Sequence, residues 1–267
     1  MAPTPEPQSE SVFARERQHQ ITAIVNSEGR ARVVDLAERF GVSAVTIRKD
    51  LLALESERRL VRTHGGAIPV ERNRPELAFD VRELLHQEEK SRIGEIAARM
   101  VVDGEAVALD ASTTALHVAR QLAERDHWQE LTVVTNGIRI AAELASHPGI
   151  VVLMPGGRLR PEALSLLGQL GDSMFRKVNI QTAFLGATGF TIETGLSDSM
   201  EEEAQMKRSM VAAARRVVTI VDHTKWGRAA VATFCRTERI DAVITDTSAP
   251  AEMVDSLARL KIPVHSI

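Results

Sequence analysis

The chain has 267 residues, of which 44% are hydrophobic, and this supports one small and one medium globular domain. A formal net charge of −3 argues against a general nucleic-acid coat protein, and a single cysteine excludes an intramolecular disulfide. No uninterrupted apolar run approaches the ~20 residues of a membrane span, so we expect no membrane association.

Residues 1–13 are rich in proline, glutamate, glutamine and serine, and they lack the cationic and apolar segments of a signal peptide. We therefore expect a disordered tail on a cytoplasmic protein. The next predicted unit covers residues 14–69. It begins with a helix from Arg15 to Ser27, in which Ile21, Ile24 and Val25 face inward.

Two short amphipathic helical patterns separated by a tight turn follow, and after them comes a basic hairpin. Gly41 suits a left-handed helix C-cap, and Ser43 suits the N-cap of the second helix. Ile47, Leu51 and Leu54 share one stripe of that helix, so we expect them to face the core. This order of elements predicts a winged helix-turn-helix, which places its second helix in the major groove of DNA.

Hydroxyl groups and cations at the start of the second helix suit contacts with phosphates and guanine edges. Residues 15–64 carry ten Lys/Arg and seven Asp/Glu, a net charge of +3, so the remainder of the chain carries −6. The alternative is a solvated surface helix whose Arg48-Lys49 pair has no function. The predicted DNA-contacting residues are Ser43, Thr46, Arg48, Lys49, Arg62 and His64.

Residues 70–95 are predicted to be a linker and connector helix, because a polar segment bounded by Pro69 and Pro75 precedes a helical pattern. In residues 96–267, short apolar runs alternate with amphipathic helical stretches, which predicts a largely parallel sheet covered on both faces. The predicted strands are Ala106–Leu109, Leu131–Val134, Ile150–Met154, Thr182–Leu185, Val217–Val221, Ala242–Thr245 and Pro263–Ile267. The predicted fold class is therefore α/β, with an N-terminal all-α winged helix-turn-helix and a C-terminal α/β domain.

Polar residues follow several predicted strands, directly before helices or glycine-rich turns. Hydroxyl groups and backbone N–H groups at a helix N-terminus form an anion site, and ligands of parallel sheets bind beyond the carboxyl ends of strands. Taken singly, each segment is also explained by ordinary N-capping. The predicted effector-binding residues at these ends are Asp110, Ser112, Thr113, Thr114, Thr135, Asn136, Gly156 and Gly157.

Three charged residues are predicted to complete this effector site. Glu203 and Lys207 are four residues apart on a predicted helix and share one face, although an exposed ion pair would explain them equally. Lys225 follows another strand and suits recognition of a phosphate or hydroxyl group. The sequence has no Cys/His cluster with metal-ligand spacing, no Walker loop and no dinucleotide fingerprint, so we expect no metal and no cofactor.

From Arg15 to Ile267 the chain resembles the DeoR family of bacterial transcriptional regulators. The resemblance rests on the motifs Val42–Leu51, His64–Ala67, Asp110–Thr114, Thr135-Asn136, Pro155–Gly157, Glu203–Lys207, Asp222–Lys225 and Thr245-Asp246, together with Arg62. It implies a repressor with a C-terminal sensor domain similar in fold to sugar-phosphate isomerases. It also implies a phosphorylated sugar or related metabolite as effector, and a homo-oligomer (a dimer or tetramer) on repeated or palindromic operator DNA.

Two residues depart from the family pattern, because Arg58 and Ser112 stand where many members have glycine. The competing hypothesis is a sugar-phosphate isomerase-like enzyme with a DNA-binding appendage. In that enzyme Asp110 or Glu203 would supply the general base. The sequence alone does not separate repression from activation.

Overall fold

The computed structural model describes residues 7–28, 30–56, 59–63, 65–69 and 78–267. The chain forms two compact units, the first ending at Pro75 and the second beginning at Glu76. This boundary lies inside the predicted linker and connector of residues 70–95. Residues 76–95 therefore belong to the second unit, which starts earlier than the predicted boundary at residue 96.

The described residues of the first unit form three helices and a small antiparallel sheet with strand order β1-β3-β2. Its elements are α1 (Pro7–Glu28), β1 (Ala31–Arg32), α2 (Val33–Phe40), α3 (Ala44–Ser56), β2 (Leu60–Thr63) and β3 (Gly66–Pro69). Since α1 begins at Pro7, residues 7–13 of the predicted disordered tail are helical, and residues 1–6 lie outside the described residues. The three helices and the wing hairpin are confirmed. Strand β1, which pairs with β3, was not predicted.

The helices of the first unit enclose a core that the periodicity predicted. Ile21 and Val25 of α1 are fully buried, as are Ile47 and Leu54 of α3. β1 approaches the wing so closely that a Cβ atom on Gly66 would lie 1.9 Å from the carbonyl oxygen of Ala31. Only glycine fits there, because the pairing of β3 with β1 brings two backbones into direct contact.

The second unit contains helices and strands in near alternation. Its helices are α4 (Phe79–Glu83), α5 (Gln87–Arg99), α6 (Thr113–Ala123), α7 (Ile138–Leu144), α8 (Gln169–Phe175), α9 (Glu201–Ala213) and α10 (Ala251–Arg259). Its strands are β4 (Ala106–Leu109), β5 (Leu131–Thr135), β6 (Ile150–Leu153), β7 (Arg158–Arg160), β8 (Ser165–Leu167), β9 (Ile180–Leu185), β10 (Gly189–Thr191), β11 (Gly195–Asp198), β12 (Ala214–Ile220), β13 (Ala232–Cys235), β14 (Ala242–Thr245) and β15 (Val264–Ser266).

Seven of these strands form one parallel sheet in the order β15-β14-β12-β9-β4-β5-β6, which confirms all seven predicted strands. The chain builds β4, β5 and β6 outward in one direction and then returns to place β9 on the other side of β4. A crevice for ligands opens at such a reversal of strand order, beyond the carboxyl ends of the strands. Here that point lies between β4 and β9.

Separate apolar clusters cover the sheet, as expected for strands buried on both faces. α5 contributes Ile93, Ala97 and Ala98 to one of these clusters, which is why it belongs to the second unit. Two smaller sheets were not predicted. They are the hairpin β7–β8 and the antiparallel sheet β10-β11-β13, and both lie next to residues of the predicted effector site.

Candidate DNA-contact surface and strand-end cluster

The turn between α2 and α3 has the predicted geometry. Gly41 adopts a left-handed conformation, with φ at 63°, and its N–H group bonds with the last carbonyl groups of α2. Ser43 then caps α3, since its Oγ accepts a hydrogen bond from the backbone N–H of Thr46 at 3.1 Å. The hydroxyl groups of Ser43 and Thr46 also lie 2.9 Å apart. Local capping therefore sets the angle at which α3 leaves the turn.

Opposite faces of α3 differ in chemistry. Ile47 and Leu54 are buried, whereas Arg48 and Lys49 are exposed. Among the residues that the structure describes, neither cation has a hydrogen-bond or ion-pair partner. Val45 shares their face, and its side chain is 60% exposed. This face thus combines cations with an apolar group, and the sequence analysis did not single out Val45.

The wing places Arg62 on β2, where its side chain is 37% exposed and its Nη1 lies 3.7 Å from Oε2 of Glu55. The backbone N–H of Arg62 donates to Oε1 of the same glutamate at 3.0 Å. Glu55 therefore joins the end of α3 to the first strand of the wing. The predicted contact His64 and the departure at Arg58 lie outside the described residues.

Two carboxylates enclose Lys207 at the point where the strand order reverses. Its ammonium nitrogen lies 2.8 Å from Oδ2 of Asp110 and 2.7 Å from Oδ2 of Asp198. It also donates to the carbonyl oxygen of Gly186 at 2.9 Å. The ammonium group thus lies against two carboxylates and one carbonyl oxygen, and the side chains of Lys207, Asp110 and Asp198 are all buried. Lys207 thus links α9 to β4, β9 and β11.

The charge state of Lys207 follows from these neighbours. Burial alone would lower its pKa, but the carboxylates of Asp110 and Asp198 outweigh this effect and raise the pKa well above its ordinary value. Lys207 therefore remains charged at neutral pH. Its i,i+4 neighbour Glu203 has other partners, so the simple exposed ion pair between the two is excluded.

Glu203 fastens the β7–β8 hairpin to α9. Its Oε1 accepts hydrogen bonds from Arg160 Nη1 at 3.0 Å and from Ser165 Oγ at 2.6 Å. Arg160, Ser165 and Glu203 are all buried. This carboxylate is thus already engaged in an ion pair, and the same is true of Asp110. Neither group has the geometry of an unengaged general base.

The N-terminus of α6 lies beside this ion-pair cluster. Ser112 caps the helix by accepting from the backbone N–H of Ala115 at 3.1 Å, and its hydroxyl donates to Oδ1 of Asp110 at 2.7 Å. Thr113 and Thr114 form the first turn and are buried. The backbone at Gly186 approaches so closely that a Cβ atom there would lie 2.7 Å from Cβ of Ser112.

Thr135 and Asn136 lie at the carboxyl end of β5, the strand next to β4. Thr135 Oγ1 accepts from the backbone N–H of Gly137 at 3.0 Å, and Nδ2 of Asn136 donates to the carbonyl oxygen of Leu166 at 3.3 Å. Oδ1 of Asn136 is buried and has no hydrogen-bond partner among the described residues. A buried acceptor without a donor is costly, so this oxygen is suited to a donor from a ligand.

Gly156 and Gly157 lie further along the same edge of the sheet, after β6. Both are exposed. Gly157 has a φ of 153°, and a Cβ atom on it would lie 2.4 Å from the carbonyl oxygen of Leu167. The close approach of the β7–β8 hairpin therefore explains why residue 157 is glycine, and no phosphate contact is needed to account for it.

Lys225 occupies the edge on the other side of β9, in the short turn that follows β12, and is half-buried. The neighbouring Asp222 is buried and accepts from the backbone N–H of Thr224 at 2.9 Å. Burial opposes the ionisation of Asp222, but Lys225 and the hydrogen bonds from Thr224 keep its pKa below the ordinary value. This strand end thus carries a fixed carboxylate beside a cation.

Asp110 contacts both Ser112 and Lys207. The other predicted residues lie at the start of α6, on α9 or at neighbouring strand ends. Sequence reasoning missed Asp198, which holds one side of the Lys207 ammonium group. It also missed Arg160, the ion-pair partner of Glu203. A charged residue in a strand of three or four residues was the only sequence signal for either of them, and that signal does not identify a partner.

Known families match both units of the chain. A DeoR-like helix-turn-helix domain matches residues 17–73, and a DeoR C-terminal sensor domain matches residues 85–247. Within the described part of the chain, no helix is both long and apolar enough to cross a membrane. The two matches coincide with the two compact units.

Curated relatives match nearly the whole chain. The uncharacterized HTH-type transcriptional regulator YulB of Bacillus subtilis is 34% identical over 96% of this chain and 98% of its own length. A putative aga operon transcriptional repressor of Escherichia coli O157:H7 is 32% identical, over 93% and 92%. Ribose 5-phosphate isomerase A of Methanocaldococcus jannaschii aligns in structure over 52% of this chain and 54% of its own, with a TM-score of 0.40 and 16% identity. Because the regulators match over nearly full length and both family models agree, the chain is a DNA-binding transcriptional regulator of the DeoR family and not an enzyme.

Proposed function

We propose that this regulator is a repressor, and that its sensor domain releases operator DNA when it binds a phosphorylated sugar or a related metabolite. The observation that carries the proposal is the N-terminus of α6, which lies at the reversal of strand order between β4 and β9. Unpaired N–H groups and the helix dipole favour an anion at such a point. A relative named as a putative transcriptional repressor favours repression over activation.

The DNA-contact face of α3 is proposed to consist of Arg48, Lys49, Thr46 and the exposed Val45. Arg48 and Lys49 suit guanine edges and phosphates, and the Val45 side chain suits a thymine methyl group. Ser43 and Arg62 are proposed to lie close to phosphates, with Ser43 also retaining its capping bond. His64 is proposed for the wing on sequence grounds alone.

The operator side of the proposal is tested with Arg48→Ala. If Arg48 reads a base, the variant binds the regulator's own promoter more weakly by about 1–3 kcal/mol, a five- to roughly 150-fold change in Kd. Fluorescence anisotropy with promoter and scrambled duplexes measures this loss. Arg176→Ala, a change at an exposed residue of the second unit, is the matched control. Equal affinity of wild type and Arg48→Ala for the promoter removes Arg48 from base recognition.

The effector is proposed to place its phosphate at the first turn of α6, near Ser112, Thr113 and Thr114, with Lys225 as the cation. Asn136 is proposed to accept a hydrogen bond from a sugar hydroxyl group, because its Oδ1 is buried and no described residue donates to it. Phosphate and hydroxyl groups on one small molecule are the chemistry of a sugar phosphate. Thr135, Gly156 and Gly157 are proposed to shape the neighbouring wall.

Lys207 and Glu203 are proposed to position this site, since their polar atoms are already bound within the protein. Asp110, Ser112 and Gly186 belong to the same network, so an effector at α6 would bias the packing of β4, β9 and α9. The sensor acts on DNA affinity only if the effector binds one arrangement of the protein better than another. We propose a homo-oligomer, a dimer or tetramer, in which effector binding changes the spacing between the α3 helices of paired subunits. Sedimentation with and without operator DNA measures the number of subunits.

A thermal-shift screen of the full chain tests the effector proposal with pentose and hexose phosphates against the unphosphorylated sugars. A ligand present at a hundred times its Kd adds about 2.7 kcal/mol of stability. We expect stabilisation by a phosphorylated compound and its loss in Lys225→Met, whereas Lys177→Met, a change at an exposed lysine, keeps it. Stabilisation by unphosphorylated sugars alone, or an unchanged shift in Lys225→Met, contradicts the proposed phosphate contact.

A further inference from the structure

Three side chains with metal-binding atoms meet where α5 begins and β12 ends. His86 directly precedes α5, Glu89 lies in its first turn, and His223 follows β12. One potential ligand atom from each lies within 4.8 Å of the other two, and all three residues are half-buried. We propose that His86, Glu89 and His223 bind a divalent transition metal of the Zn²⁺ class.

The spacing of these side chains agrees with tetrahedral coordination. An ion held by two imidazoles at about 2.1 Å would place the ring centroids about 5.2 Å apart and the ligand atoms about 3.4 Å apart. The rings of His86 and His223 have centroids 5.2 Å apart and are inclined at 86°. Nδ1 of His86 lies 3.7 Å from Oε1 of Glu89. The distance between the two imidazole rings therefore agrees with the distance expected for two histidines that bind the same ion.

A buried carboxylate orients one of the proposed ligands. Nδ1 of His223 lies 3.0 Å from Oδ1 of Asp246, and the backbone N–H of His223 donates to Oδ2 of the same residue at 2.7 Å. Asp246 follows β14 and is itself buried. A carboxylate on Nδ1 favours the tautomer that leaves Nε2 as the metal ligand, and this arrangement is common behind metal-bound histidines.

The charges around the cluster also favour a cation. Glu89, Asp222 and Asp246 supply three carboxylates, and Glu83 supplies a fourth near Lys90. The cations in these surroundings are Lys90, Lys225 and Arg82, so negative groups outnumber positive groups by four to three. The Lys90 ammonium group donates to two backbone carbonyl oxygens at 2.5 Å. A divalent cation would therefore enter surroundings of net negative charge.

The chemical nature of the three ligand atoms limits which metal ion the site would bind. Two imidazole nitrogens and one carboxylate oxygen suit zinc and similar ions, whereas magnesium and calcium prefer oxygen ligands. Three protein ligands leave a fourth position for water or for an oxygen of another molecule. The sequence analysis expected no metal because it looked for ligands close together in sequence, and His223 is far along the chain from the other two.

Zinc binding by the untagged, full-length protein tests the proposal after dialysis against a chelator. Equilibrium dialysis with elemental analysis is expected to show one Zn²⁺ per chain. His86→Gln and His223→Gln should each lower the affinity at least tenfold, because each removes a ligand. Asp246→Asn should lower it about 10–100-fold through the orientation of His223.

His127→Gln, a change at an exposed histidine outside the cluster, is the matched control and should bind as wild type does. Tryptophan fluorescence during thermal unfolding shows whether each variant is folded. As a second measurement, Co²⁺ in the wild-type protein should give the visible absorption of a tetrahedral ion, and His223→Gln should not. No zinc uptake by the wild type, or equal uptake by His223→Gln and His127→Gln, overturns the proposal. No DNA or sugar is present in these measurements, so their outcome is independent of the proposed effector.

Discussion

The replacement of Lys207 by methionine should strongly destabilise the sensor domain. Lys207→Met keeps a side chain of similar length but leaves the carboxylates of Asp110 and Asp198 buried beside each other without a cation. Removal of one partner from a buried ion pair typically costs about 3–5 kcal/mol, because the remaining charge loses both water and its counter-ion. We expect a loss of that size in the free energy of unfolding.

Urea unfolding followed by tryptophan fluorescence measures this loss in the right part of the chain, since both tryptophans, Trp128 and Trp226, lie in the second unit. Lys177→Met, at an exposed lysine, should stay within about 0.5 kcal/mol of wild type. Asp198→Asn combined with Lys207→Met should cost less than the sum of the single changes, by at least about 1 kcal/mol. If Lys207→Met is no less stable than Lys177→Met, the ion-pair cluster does not stabilise the domain as argued.

Gly186→Ala should destabilise the sensor domain, because the new Cβ atom would lie 2.7 Å from Cβ of Ser112, and Ser112→Gly in the same chain should restore part of the loss in urea unfolding. His117 should make stability depend on pH: burial, with help from two nearby cations, lowers its pKa from 6.5 to about 4, so its contribution is complete above pH 6.5 and is lost as the pH falls towards 4. That loss is about 2 kcal/mol at pH 5. The free energy of unfolding, measured against pH, should therefore fall less steeply for His117→Gln than for the wild type. Equal slopes for the two proteins would contradict the lowered pKa of His117. Gly41→Ala should speed hydrogen exchange of α2 amides about fivefold, because a left-handed non-glycine residue costs about 1 kcal/mol, whereas Gly41→Asn should have a smaller effect.

Much of the fold could be predicted because its signals are local. The apolar stripe of Ile47, Leu51 and Leu54 determines which face of α3 is buried, whatever the rest of the chain does. The seven strands of the large sheet followed from short apolar runs between helical patterns. β1 and the β7–β8 hairpin have only two and three residues per strand, too few for a period to be recognised.

The candidate site was predicted less completely than the fold. The strand-end positions of Asp110, Thr135 and Asn136 followed from the sequence, because parallel strands end at the same edge of a sheet. The partners of Lys207 and Glu203 did not, since a charged residue on a helix can pair with any residue that folding brings near it. From the sequence alone, an exposed i,i+4 ion pair was also an acceptable interpretation of Glu203 and Lys207, and only their burial excluded it.

The sequence by itself determined the helix-turn-helix, the parallel sheet and the edge of the sheet where polar groups gather, because periodicity, capping residues and glycine positions act within a few residues. Only the tertiary structure decided that Lys207 lies between Asp110 and Asp198, that Glu203 holds a hairpin, and that His86 and His223 meet. Such contacts join residues distant in the chain, and they form only when strands and helices pack in three dimensions.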